Sequence, residues 1–184
     1  FPYLSWYRED FSESSLDEVM GQLQSYVHVE RPRIPEKTRS IGVWVMPKDE
    51  YPQTAIWMTI RDQSGNMQNL YLGNLGTPEW QLMTAQIPTQ LKLPAWLVSV
   101  QIYEGGLSMK TPGELLLDDI HVTLDPLGER HLLDNFEERL QWIPIITSRL
   151  YSDRIVLVSD PIRDGKVGSF IFGQESRGDF RGFY

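Results

Sequence analysis

The chain has 184 residues, a formal net charge of −8 and a sequence pI of about 4.9. An acidic surface of this kind repels phosphate backbones, so the composition argues against nucleic acid as a partner. The sequence contains no cysteine, which excludes disulfides and thiolate metal sites, and no apolar run in this fragment approaches the length that spans a bilayer.

Residues 1–39 are predicted to form an aromatic lead-in and one amphipathic helix. The sequence opens without an initiator Met or a signal peptide, which indicates a piece of a longer protein. Ser15-Leu-Asp-Glu18 is a capping box, and apolar residues recur at helical spacing from Leu16 to Tyr26. Arg31-Pro-Arg-Ile-Pro35 then ends the helix as an extended linker.

From residue 40 to residue 130 the pattern changes to short strands separated by turns. Predicted strands cover Ile41–Met46, Ala55–Arg61, Met67–Leu72, Trp80–Ile87 and Trp96–Glu104. Gly65 supplies the positive φ of a hairpin turn between the second and third of these. Regularly spaced strands without intervening helices predict a mostly β protein, an antiparallel β-sandwich. The side chains predicted to fill its core include Trp44, Trp80, Trp96 and Trp142.

The strand Gly113–Leu124 contains a conflict in its apolar pattern. Strict alternation would place Leu115 and Leu117 on one face and Ile120, Val122 and Leu124 on the other. One extra residue, as a β-bulge at Asp118-Asp119, would turn all five toward the same core. We therefore predict a bulge there.

Residues 131–184 begin a second set of strands. The predicted segments are His131–Glu138, Arg154–Ser159 and Lys166–Phe172, and Asp160–Gly165 is predicted to be a hairpin turn. Neither this segment nor residues 40–124 has all the strands of a jelly roll, and unpaired sheet edges are costly. We expect residues 131–184 to complete the sandwich, within one chain or by exchange between two chains.

Two groups of motifs resemble the galactose-binding-like jelly rolls, which include many carbohydrate-binding modules. The first group, resembling the later strands of that fold, comprises Gly42-Val-Trp-Val45, Ile60-Arg-Asp-Gln-Ser-Gly65, Trp80 and Leu117-Asp-Asp-Ile-His-Val122. The second, resembling the opening strands, comprises Asp134-Asn-Phe-Glu137, Trp142 and the run from Ser159 to Phe170. The closing part thus precedes the opening part, as in a permuted jelly roll. With the preceding helix, this order is similar to the repeats in large ectodomains of bacterial ABC-transporter permeases (FtsX-like).

The resemblance implies a non-catalytic module, extracellular or at the cell surface, within a membrane-anchored protein. Its partners would be the other domains of that protein, or a protein or glycan ligand. The alternative is a carbohydrate-binding module attached to a secreted or cell-surface enzyme. An enzyme is disfavoured, because adjacent acidic residues alternate across a strand and the three His show no metal spacing.

Three carboxylates are candidates for a structural Ca²⁺ site: Asp118, Asp119 and Glu137. Related jelly rolls often hold Ca²⁺ near this strand, and Glu137 would join the pair if its segment lies beside Gly113–Leu124. The alternative is that these carboxylates accept hydrogen bonds from backbone donors at the bulge or remain solvated.

A carbohydrate site would require exposed aromatic rings. Trp57 alternates with Ile56 and Met58, so it is predicted to lie on the face opposite the core. The other candidate ligand-binding residues are Tyr51, Tyr71 and Tyr103.

Overall fold

A computed structural model describes residues 31–50, 54–104, 113–137, 142, 154–172 and 181–183, and residues 31–184 form one compact unit. The predicted helix Leu16–Tyr26 and Tyr51 lie outside the described residues. The strands are β1 (Arg33–Ile34), β2 (Thr38–Pro47), β3 (Thr54–Asp62), β4 (Met67–Asn74), β5 (Gln81–Gln86), β6 (Ala95–Glu104), β7 (Gly113–Leu124), β8 (Glu129–Asp134), β9 (Arg154–Asp160), β10 (Gly165–Phe172) and β11 (Arg181–Phe183). No helix in this part of the chain is long and apolar enough to cross a membrane.

The strands form two antiparallel sheets that contribute to one hydrophobic core. Sheet A has the order β1-β6-β3-β4, with β11 also paired to β6. Sheet B has the order β5-β2-β7-β10-β9, with β8 also paired to β7. The core takes buried residues from both sheets, among them Val43, Ile56, Met58, Leu97, Val122 and Phe170. The mostly β, antiparallel prediction is confirmed, and the arrangement is sandwich-like.

The bulge predicted in β7 is present. Trp44 pairs with Asp118 and Gly42 with His121, so β7 has one more residue than β2 between these two pairs. Asp119 takes a left-handed φ of 46° at the irregularity. The four apolar side chains Leu115, Leu117, Ile120 and Val122 are consequently all buried in the core, and Leu124 packs against it.

The bulge lies where β7 changes partner along one edge. Gly113–Leu117 pairs with β10, whereas Ile120–Leu124 pairs with β8.

On the other sheet, β11 pairs with β6. Strands after residue 128 therefore pair with strands of both sheets in the same chain, and their assignment as the opening strands of a permuted jelly roll stays a prediction. Two short strands, β1 and β11, were not predicted from the sequence.

Asp134 stabilises the turn after β8 by accepting two hydrogen bonds. One carboxylate oxygen accepts a hydrogen bond from Phe136 N at 2.8 Å and the other from Trp142 Nε1 at 2.7 Å. Phe136 adopts a left-handed φ of 58° and is fully buried. A Cβ placed on Gly168 of β10 would lie 2.8 Å from the Phe136 ring. The ring therefore fits against β10 only because residue 168 is glycine. Trp142 is buried in the core, as predicted.

Candidate functional site

Three of the predicted ligand-binding residues lie on neighbouring strands of sheet A, and together we call them the aromatic face: Trp57, Tyr71 and Tyr103. Trp57 is half-buried, and its ring lies 5.1 Å from the Tyr71 ring at an interplanar angle of 54°. Tyr71 is 48% exposed and Tyr103 36%. The Trp57 indole Nε1 is buried without a hydrogen-bond partner. The prediction that Trp57 points away from the core is confirmed, because Ile56 and Met58 occupy the core side.

A layer of polar side chains lies beside these rings. Gln101 Nε2 donates to Thr59 Oγ1 at 3.1 Å and to Ser99 Oγ at 3.0 Å. Thr59 Oγ1 donates in turn to Asn69 Oδ1 at 2.7 Å. Asn69 is exposed, and Thr59 and Ser99 are buried. The hydrogen-bond chain fixes the amides of Gln101 and Asn69 beside the aromatic rings.

Rings and amides in this arrangement suit ligand recognition. An aromatic ring offers an apolar face with a low cost in side-chain entropy, and an amide supplies both a donor and an acceptor. Tyr71 Oη donates to Asn74 Oδ1 at 3.0 Å, which restrains the most exposed ring of the group. The aromatic face can therefore contact either a protein surface or a sugar.

A second group of side chains lies on sheet B, around Arg163 in the turn between β9 and β10. We call Trp44, Trp80, Asp118 and Asp119 the arginine cage. The guanidinium carbon lies 4.8 Å from the centroid of the Trp44 ring and 5.4 Å from that of Trp80. Arg163 Nε donates to Asp118 Oδ2 at 2.6 Å and Nη2 to Asp119 Oδ2 at 2.5 Å. One cation is thus held by two indoles and two carboxylates.

The prediction that Trp44, Trp80 and Trp96 fill the core is wrong. All three are half-buried, and none belongs to the core cluster. The run around Trp44 is continuously apolar, but in a two-sheet structure only alternate residues face inward. Val43 and Val45 take those positions, and Trp44 lies on the opposite face, where Arg163 covers it.

Asp160 supports the cage from the end of β9. Its Oδ2 accepts a hydrogen bond from Trp80 Nε1 at 3.2 Å, and its Oδ1 accepts one from Ile162 N at 2.7 Å. The same carboxylate therefore orients an indole of the cage and shapes the turn that carries Arg163. The sequence indicated this turn, but no local signal indicated Arg163, because its carboxylate partners lie 45 and 44 residues away.

The structure brings two of the three predicted calcium ligands together and places the third elsewhere. Asp118 and Asp119 share Arg163, and Asp118 Oδ1 also accepts from Asp119 N at 2.8 Å. Glu137 instead accepts from Lys166 N at 3.2 Å. The described residues contain no group of three or more His, Cys, Asp or Glu that could hold a metal ion. Backbone donors reach Asp118 and Glu137, but the Arg163 side chain was not among the partners considered from the sequence, and calcium stays a prediction.

Burial raises the pKa of Asp118 above its ordinary value of 3.8, and the neighbouring Asp119 charge adds to the rise. The hydrogen bond from Arg163 lowers the pKa but does not cancel the effect of burial. A raised pKa means that the folded state binds this proton more tightly than the unfolded state does. The contribution of Asp118 to the free energy of unfolding therefore decreases as the pH rises from 3.8 through the folded-state pKa.

We expect Asp118→Asn to destabilise the protein more at about pH 4 than at about pH 7, because the wild type loses part of the carboxyl's contribution over this range. Denaturant unfolding of both proteins across these pH values measures the difference. A destabilisation that grows toward neutral pH would show instead that the Arg163 charge outweighs burial.

No family model, curated protein or solved structure matches this chain.

Proposed function

We propose that this chain is a non-catalytic recognition module of a larger protein on the cell surface, and that it contacts its partner through the aromatic face. The observation that carries the proposal is the placement of Trp57, Tyr71 and Tyr103 on neighbouring strands of sheet A, on the face away from the core, with Tyr71 48% exposed. Aromatic residues are enriched in protein interfaces, where they supply most of the binding energy at a few positions. The partner is another domain of the same protein or a dedicated protein ligand.

The non-catalytic assignment is supported by the contacts of four acidic side chains. Asp118 and Asp119 bind Arg163, Asp134 binds Trp142, and Glu137 accepts from a backbone N–H. Acid–base catalysis needs carboxyl groups that converge on a substrate. These four groups are engaged in contacts that hold strands and turns together.

The parent protein is proposed from the sequence resemblance to ABC-transporter permease ectodomains. Two of the motifs that carry it contact each other here, since the Phe136 ring of Asp134-Asn-Phe-Glu137 packs against Gly168 in the run from Ser159 to Phe170. The gene in its chromosomal context tests this part of the proposal. Transmembrane helices encoded on the same open reading frame would support it, and a glycosidase domain there would contradict it.

Site-specific photocrosslinking tests the contact face. A photoreactive phenylalanine derivative at position 71 of the intact parent protein should crosslink to another domain or to one protein ligand, identified by mass spectrometry. The matched control is position 127, since Leu127 is 88% exposed in the turn between β7 and β8. Equal labelling from both positions would rule out the aromatic face as the contact surface.

The second candidate function is a carbohydrate-binding module, which the amides of Asn69 and Gln101 beside the rings favour. Sugars bind by stacking on rings and by hydrogen bonding to amides. We nonetheless expect affinities weaker than about 1 mM for simple sugars, because Trp57 is only partly exposed.

Calorimetry with a panel of glycans measures this affinity. Micromolar binding that Tyr71→Ala and Trp57→Ala both abolish, and that Leu127→Ala preserves, would make the carbohydrate module the preferred function. The Tyr71 variant keeps the test valid if loss of the half-buried Trp57 disturbs folding.

A further inference from the structure

We propose that the arginine cage is a guanidinium-binding site, which this chain fills with its own Arg163. The ligand class is a guanidinium group, such as the arginine side chain of a partner protein. The proposal is independent of the aromatic face, because its residues lie on sheet B, immediately before β5 and in the turn between β9 and β10.

The geometry selects guanidinium over ammonium. Both indole rings lie within 5.4 Å of the Arg163 guanidinium carbon, a distance at which a cation is attracted to the ring face. Two different nitrogens of the same group donate to Asp118 and Asp119. A planar, delocalised cation can stack and donate in two directions at once, whereas an ammonium is a compact and strongly hydrated point charge.

The charges and exposures suit an exchangeable cation. The two carboxylates outnumber the one guanidinium, so the cage remains attractive to a cation when Arg163 leaves. The Asp118 side chain is 9% exposed and makes the buried end of the site, while the Asp119 side chain is 38% exposed and makes its open end. Arg163 itself retains 20% side-chain exposure, so its side chain is not sealed from solvent.

Three members of the arginine cage are held in place by contacts that do not involve Arg163. Asp160 fixes the Trp80 indole through its Nε1, and the backbone N–H of Asp119 fixes the Asp118 carboxylate. Trp44 lies within the β2 ladder, between strands β5 and β7. These contacts leave the ligand-binding atoms in place when the arginine side chain is removed, so a free guanidinium can restore the missing interactions.

Chemical rescue tests the site. Arg163→Ala and Arg163→Gln are titrated with methylguanidinium chloride, with methylammonium chloride at equal concentration as the matched cation. We expect a saturable rise in the unfolding temperature and a change in tryptophan fluorescence with methylguanidinium, several-fold larger than with methylammonium. The wild type should respond only at higher methylguanidinium concentrations than the variants, because there the ligand must first displace Arg163.

The double variant Arg163→Ala/Asp118→Asn separates the cage from general salt effects. It should lose the response to methylguanidinium, and an equal response in the single and double variants would overturn the proposal. If Arg163→Ala is unfolded in buffer, recovery of its near-ultraviolet circular dichroism on adding methylguanidinium becomes the measurement. Failure to recover that signal, or equal recovery with methylammonium, would likewise overturn the proposal.

Discussion

Phe136→Ala should lower the free energy of unfolding by about 3 to 5 kcal/mol, the range for removing a fully buried aromatic side chain. Phe136 has no exposed surface, and its left-handed backbone points the ring into the core beside β10. Asp134 holds that backbone in place, so the turn cannot collapse into the space that the ring leaves. Denaturant unfolding at equilibrium measures the loss.

The control for this variant is Leu127→Ala, which removes an apolar side chain that is 88% exposed. It should change the free energy of unfolding by less than about 0.5 kcal/mol. A loss of less than about 1 kcal/mol for Phe136→Ala would mean that the ring does not occupy the core.

The contact between Phe136 and Gly168 makes a sharper test. Gly168→Ala adds a Cβ that would lie 2.8 Å from the ring, so overpacking should destabilise the wild type by about 1 to 3 kcal/mol. In the Phe136→Ala background the ring is absent, and the same substitution should cost little or stabilise. Equal costs in both backgrounds would contradict the contact.

The bulge in β7 shows what the sequence determines locally. Leu115 and Leu117 conflict in phase with Ile120 and Val122, and one inserted residue is the simplest way to bury all four. Likewise Gly65 has the positive φ of 86° that the hairpin turn requires. Such features depend on side chains a few residues apart, and the sequence predicts them well.

Features that depend on residues far apart in the chain could not be predicted from the sequence. The strand β1 has only two residues, and its pairing with β6 gives no periodic signal. Arg163 pairs with carboxylates more than 40 residues away, so no local pattern indicates that a cation covers the outward-facing Trp44 ring. Phe136 adopts a backbone conformation that favours glycine, asparagine or aspartate, so residue type alone does not indicate it.

The aromatic face was predicted from the sequence only in part. The alternation of Trp57 with Ile56 and Met58 was sufficient to place the indole away from the core. The packing of Trp57 against Tyr71 depends on the register of β3 with β4, which the short turn between them sets. The polar layer depends also on β6, which lies more than 30 residues further along the chain, and it was not predicted.

Asp134→Asn should lower the free energy of unfolding by about 1 to 3 kcal/mol, because it turns one acceptor into a donor in a buried site. Asp134 satisfies two groups, Phe136 N and Trp142 Nε1, and the substituted amide can accept from only one of them. The other donor is then left facing an NH₂ group. Since Trp142 is 4% exposed, water does not easily replace the lost acceptor.

Asp160 provides a matched comparison, since it also pairs one oxygen with a backbone N–H two residues on and the other with an indole. Its bond to Trp80 is longer, at 3.2 Å against 2.7 Å for Asp134 and Trp142, and Trp80 is only half-buried. Asp160→Asn should therefore cost less than Asp134→Asn, because water can reach the indole that it leaves.

A double-mutant cycle of Asp134→Asn with Trp142→Phe isolates the bond itself. Phenylalanine has no N–H, so in that background the asparagine meets no orphaned indole donor and Asp134→Asn should cost at least about 1 kcal/mol less. Additive losses within about 0.5 kcal/mol would place the cost of Asp134→Asn in the turn rather than in the indole bond. The cycle thus decides whether Asp134 stabilises the fold chiefly by shaping the turn that carries Phe136 or by tying Trp142 to the end of β8.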